Sequence, residues 1–196
     1  MRTAQYDRAT RETDISLRVN LDGTGEAQID SGVGFLDHML TLLAFHSGVD
    51  IRLTCKGDTC VDAHHTTEDT GIALGRAIDR ALGDRLGITR YGSFVLPMDE
   101  TLVLCALDIS GRAYVQCDLE LRRDKVGDFD TELVKEFFWG LSRALGLTVH
   151  IKQLSGENTH HILEAAFKGF GRALGQAVAL DERRLGRVAS SKGTLD

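Results

Sequence analysis

Apolar residues along the chain alternate between a period of two and a helical spacing. Ile15, Leu17 and Val19 alternate with polar neighbours, which predicts a half-buried strand over 13–20. A second strand over 25–30 follows the turn-like "DGTG". "GFLDHMLTLLAFHSG" (34–48) spaces its apolar residues for a helix closed by Gly48. A strand over 49–55 and a helix over 64–83 come next. The order then recurs, with strands near 93–97, 101–109 and 112–122, a helix from about 130 to 145, a strand at 147–153 and a helix from 160 to about 180. Each half reads β-β-α-β-α, the second slightly elaborated. Helices alternating with amphipathic strands predict an α+β fold whose sheets cover the helices.

The two halves are copies. His64, His65, Glu68, Gly75, Arg76 and Ala77 recur as His160, His161, Glu164, Gly171, Arg172 and Ala173, at a constant offset of 96. Upstream, "GVDIRL" (48–53) matches "GLTVHI" (146–151) at an offset of 98. At that offset His38 lines up with Glu136. No low-complexity linker interrupts the chain, so residues 1–196 read as one domain with pseudo-repeats at about 1–90 and 91–196.

Composition narrows the class. The 196 residues carry 23 basic and 29 acidic side chains, interspersed and without a basic stripe, which argues against nucleic acid as partner. No run of about 18 apolar residues predicts a membrane span, and the N-terminus lacks the apolar core of a signal peptide. Cys55, Cys60, Cys105 and Cys117 make no C-x-x-C pair. Small reduced thiols in a cytoplasmic protein are the expectation, rather than a disulfide or zinc framework.

The histidine clusters carry the chemistry. His64 and Glu68 are four apart on a helix and share a face, whereas His65 turns about 100° away. Neighbouring histidines so placed suit two ions lying side by side. His160, His161 and Glu164 offer the same trio, and imidazole mixed with carboxylate favours a divalent ion such as Mn²⁺. Adding His38 and Glu136 makes eight possible ligands, four per ion for a pair, which leaves positions open for substrate. A His-His pair with a following glutamate can instead cap a helix and complement its dipole, but its repetition with identical spacing favours a metal. His46, near a helix C-terminus, suits the dipole when partly charged, and His150 on the polar face of its strand reads as structural.

"GFLDHML", "DAHHTTEDTGIALG", "GSFVLPMDE", "DISGR", "GDFDTELV", "GENTHHILEAAFKGFGRAL" and "SSKGTL", in this order over essentially the whole chain, resemble the imidazoleglycerol-phosphate dehydratase family in its monofunctional form. The resemblance implies a duplicated ribosomal-protein-S5-domain-2-like unit, with helices packed between two sheets. It implies removal of water from imidazole glycerol phosphate to give imidazole acetol phosphate in histidine biosynthesis, with two Mn²⁺ per active site. It also implies trimers assembling into a 24-subunit shell with sites at subunit contacts. The family's metal ligands fall on His38, His64, His65, Glu68, Glu136, His160, His161 and Glu164, although many members have histidine where Glu136 stands. Arg90, Arg112, Lys168, Ser190 and Lys192 match its phosphate contacts, and Glu12, His38 and His46 match positions near the rest of the substrate. Holding the substrate ring as imidazolate between two ions would let its charge expel the hydroxyl, with Glu12 or Glu164 moving protons. A metal-dependent phosphate-ester hydrolase would more often use aspartates, and a metal-storage shell would need no anion clamp.

Overall fold

The computed structural model describes residues 1–195. The first half runs β1 (Thr3–Ala9), β2 (Thr13–Asn20), β3 (Ala27–Asp30), α1 (Gly34–Ser47), β4 (Asp50–Gly57) and α2 (His64–Leu82). The second runs β5 (Tyr91–Met98), β6 (Thr101–Asp108), β7 (Tyr114–Asp118), the small hairpin β8 (Lys125–Val126) and β9 (Phe129–Asp130), α3 (Leu133–Leu145), β10 (Thr148–Ser155) and α4 (Thr159–Val178). The predicted duplication is present, with the N-terminal strand extending the unit to β-β-β-α-β-α. One sheet has the order β1-β2-β4-β3 and the other β5-β6-β10-β7, with the last strand parallel to its neighbour in both.

The registers make the equivalence residue-specific. Thr13 and Thr101 open the second strand of each sheet, 88 residues apart, while Ile51 and Val149 are equivalent at an offset of 98. Ala27 pairs with Ile51 as Val115 pairs with Val149, so the offset is still 88 in β3 and β7. The extra residues therefore lie between β7 and α3, where the β8–β9 hairpin sits.

Alternation places Ile15, Leu17, Val19, Ile51 and Leu53 of the first sheet inward, and Val103, Cys105, Leu107, Val149 and Ile151 of the second. Between the two inner faces lie the four helices: α2 packs on β1 and β2, and α4 on β5 and β6. Each helix pairs across the repeat, α1 with α4 and α2 with α3. Phe137 and Phe138 of α3 stack against Phe167 of α4 with ring centroids 5.4 and 5.1 Å apart, filling the centre.

Glycines set the helix spacing. A Cβ on Gly171 of α4 would lie 2.8 Å from the Leu43 carbonyl oxygen of α1, and one on Gly75 of α2 would lie 2.6 Å from that of Leu141 in α3. The bare backbones let each pair approach closely, so side chains at the starts of paired helices meet. As expected, α1 stops at Gly48, which takes the left-handed conformation at φ 74°. All four cysteines are free, three of them in strands, and burial pushes the Cys105 thiol up to about 12. No helix among the described residues is long and apolar enough to cross a membrane.

Candidate metal centre and anion pocket

Both histidine pairs sit where a helix begins. Asn158 caps α4, its side chain accepting from the His160 N–H, so His160 and His161 project from a fixed first turn. At the first cluster Asp62, just before the α2 N-cap Ala63, accepts from the His64 N–H at 2.7 Å.

At the α1–α4 seam the predicted ligands converge. His38 Nε2 lies 2.7 Å and His160 Nε2 3.1 Å from Glu164 Oε1. Lys168 Nζ donates to the other carboxylate oxygen at 2.5 Å. His38, His160 and Glu164 are the one group among the described residues whose three donor atoms lie within 4.8 Å of one another. Burial works against the Glu164 charge, but bonds from Lys168, His38 and His160 outweigh it and hold the carboxyl down to about 2. Two imidazole nitrogens and an ionised carboxylate, with no thiol in the group, fit a divalent first-row ion.

The first cluster is looser. His64 Nε2 is 4.0 Å from Glu68 Oε2. His65 has Nδ1 3.0 Å from Asp58 Oδ2 and Nε2 3.7 Å from Glu12 Oε1, and the Asp58 bond, with Glu12 nearby, raises its pKa. Glu136 is half-buried on α3, one turn before Gly140, whose added Cβ would strike the Glu68 carbonyl oxygen at 2.7 Å. It therefore belongs to the α2–α3 seam as His38 belongs to the α1–α4 seam.

Two carboxylates absent from the sequence expectations orient the outer histidines. Asp58 holds His65, and Glu100 Oε2 lies 2.9 Å from His161 Nδ1. Glu100 also accepts from the Asn158 and Glu157 N–H groups, and the His161 bond first, then these two, keep its carboxyl well below the usual range. In both cases the carboxylate takes Nδ1 and leaves Nε2 for another partner. The "PMDE" motif held the signal for Glu100, but only strand pairing brings it over α4. His46 departs from the charged reading: burial, then the nearby Lys168 and Arg172 charges, push its pKa down and favour the neutral ring.

Four of the expected phosphate contacts, Arg90, Arg112, Ser190 and Lys192, line one cavity of about 590 Å³ together with Arg184 and Arg187, and among the described residues no carboxylate side chain lines it. Arg90 is largely engaged within the chain: Nε and Nη2 bond Asp108 at 2.6 and 3.1 Å, and Nη1 bonds the Ala189 carbonyl at 2.8 Å. It anchors the C-terminal segment from a left-handed backbone at φ 75°, a conformation costing about 1–2 kcal/mol for a residue with a side chain. Arg112 and Lys192 make no side-chain hydrogen bond among the described residues, so their donors are available. The fifth, Lys168, is at the metal cluster instead. One chain thus holds the expected site residues in separate groups: the α1–α4 cluster, the α2 cluster with Glu12, and the cationic cavity.

A family model described as imidazoleglycerol-phosphate dehydratase matches residues 31–174. A relative of that name from Lachnoclostridium phytofermentans is 56% identical over 100% of this chain and 99% of its own. Another from Methylorubrum extorquens is 55% identical over 100% of both. The crystal structure of the Staphylococcus aureus imidazoleglycerol-phosphate dehydratase superimposes with a TM-score of 0.83 at 42% identity, covering 91% of this chain and 99% of that one. The Pyrococcus furiosus structure, a complex with (S)-C348, gives 0.84 at 45% identity, covering 97% and 100%.

Proposed function

The chain belongs to the imidazoleglycerol-phosphate dehydratase family, and from that premise we propose that it works with two Mn²⁺ ions in sites completed between subunits. The family is one of hydro-lyases, and the activity is dehydration of imidazole glycerol phosphate in histidine biosynthesis. The observation that carries the metal reading is the convergence of His38 Nε2, His160 Nε2 and Glu164 Oε1 on one point. The ligand set is His38, His64, His65, Glu68, Glu136, His160, His161 and Glu164. The ions that these residues would hold would supply Lewis acidity to the substrate's imidazole ring.

The protein's own groups do the rest. Arg112, Ser190 and Lys192 hold the phosphate, and Arg90 contributes by fixing the segment that carries two of them. Lys168 neutralises Glu164, and neutral His46 is free to donate or accept a hydrogen bond to the substrate. Between the two candidate proton shuttles, Glu12 is favoured. Both oxygens of Glu164 are occupied and its carboxyl lies at about 2, so it resists taking up a proton. The Glu12 carboxylate is exposed, and among the described residues its one ion-pair partner is His65 at 3.7 Å.

Separation of the residue groups within one chain supports a site assembled from neighbouring subunits; the assembly we propose for it is trimers building a 24-subunit particle. Cross-repeat packing of the helices supports one functional domain over 1–196. Unpaired cysteines are in keeping with the cytoplasm. The test is metal analysis joined to an assay of enol formation from imidazole glycerol phosphate. Chelation should abolish turnover and Mn²⁺ should restore it, and full turnover by thoroughly metal-free protein would overturn the reading.

A further inference from the structure

We infer that Asp69 is a positioning residue: through Thr13 and Thr10 it fixes the β1–β2 turn that presents Glu12 to His65. This rests on Glu12 being the proton shuttle. Asp69 follows Glu68 on α2 and is buried. Its Oδ1 accepts from Arg8 Nη2 at 2.7 Å and its Oδ2 from the Thr13 hydroxyl at 2.5 Å. Thr13 Oγ1 lies 3.3 Å from Thr10 Oγ1, which in turn accepts from the Glu12 and Thr13 N–H groups at 3.1 and 3.0 Å. The Glu12 carbonyl accepts from the Asp58 N–H at 3.0 Å, tying the same turn to the carboxylate that orients His65. Backbone on both sides of Glu12 is clamped while its carboxylate stays free of hydrogen bonds among the described residues.

The duplication supplies the control. In the second half the equivalent of Thr13 is Thr101, but Ala165 stands at the place of Asp69 and Leu96 at the place of Arg8. Glu100, the equivalent of Glu12, is held directly through its carboxylate. The second turn is thus docked on its helix without a counterpart of the Asp69–Arg8 pair, through the carboxylate whose counterpart in the first turn stays free of hydrogen bonds among the described residues. The ionic version occurs only beneath the turn whose carboxylate must remain unencumbered. It has a cost, since Arg8 Nε is buried with no hydrogen-bond partner among the described residues.

The full-length Mn²⁺-loaded enzyme is assayed as Asp69→Ala, Thr13→Val, Thr13→Ser and Thr10→Ala, alongside Glu12→Gln, with thermal melting of each. Thr13→Val and Asp69→Ala should each lower kcat tenfold or more with KM within about twofold, because a small displacement of a reacting group is costly. Combining them should lose no more than either alone, and Thr13→Ser should restore kcat. Thr10→Ala lies in the exposed turn, so it carries the test even where a buried substitution prevents folding, and it should show the same kcat loss. If Glu12→Gln abolishes turnover but Thr10→Ala and Thr13→Val shift only the melting temperature, the positioning role is refuted. Wild-type kcat in Glu12→Gln would instead overturn the assignment of Glu12 and the inference with it.

Discussion

Gly171→Ala links helix spacing to the metal centre. The new methyl would lie 2.8 Å from the Leu43 carbonyl oxygen and 3.3 Å from the His46 Cβ, so α1 and α4 must part by a few tenths of an ångström. Overpacking of this kind costs about 1–3 kcal/mol. Replacing a mid-helix glycine by alanine returns about 1 kcal/mol of helix propensity. The net loss is then about 0–2 kcal/mol, or a fall in Tm of up to roughly 8 °C for a chain of this size. The functional consequence should exceed the stability loss. His38 sits on α1 and Glu164 two turns before Gly171 on α4, and their atoms are 2.7 Å apart, a separation that helix displacement lengthens. Weaker Mn²⁺ binding is therefore expected, measured by calorimetric titration of the chelated protein, with Tm recorded on the same samples. Gly34→Ala is the control, because a Cβ there meets nothing within 4 Å. A Gly171→Ala protein more stable than wild type, with unchanged Mn²⁺ affinity, would refute the argument that glycine sets the donor geometry.

Glu136→Ala should lose about half of the bound metal, whereas Glu136→His should keep both ions, since either side chain donates to Mn²⁺; unaltered metal content in the alanine variant would remove Glu136 from the ligand set. Lys192→Ala should raise KM roughly tenfold or more through loss of one charge-assisted hydrogen bond worth about 1.5–3 kcal/mol, and a fall in kcat alone would place Lys192 nearer the chemistry. Asp50 accepts from the Thr24, Gly25 and Glu26 N–H groups and from Asn20, and although desolvation opposes them these bonds lower its pKa below 3.8. Its carboxylate thus contributes stability above that value and loses it as pH falls through the folded pKa. The urea midpoint of wild type should accordingly drop between pH 5 and pH 3 by more than that of Asp50→Asn, and equal drops would show that the bonds do not depend on the charge.

Features set by neighbours in the chain were legible without coordinates. Period-two alternation marks β2, β4, β6 and β10, and left-handed Gly48 marks the end of α1, because pleat and cap geometry are local. The His-His-x-x-Glu trios were legible for the same reason, since four residues along a helix bring side chains to one face. What the sequence could not show is which helices pair. That α1 crosses to α4 and α2 to α3 follows from burial of apolar faces far apart in the chain, and it is this packing that puts His38 on Glu164 across 126 residues. The partners Asp58 and Glu100 and the Asp69–Arg8 pair depend likewise on which strand turn lands over which helix start. Arg90 shows the limit from the other side: its residue type suits a phosphate, yet only the fold reveals that Asp108 and Ala189 take most of its donors. Side-chain type and spacing state what a group is able to bind, while long-range packing decides which of those partners lies within reach.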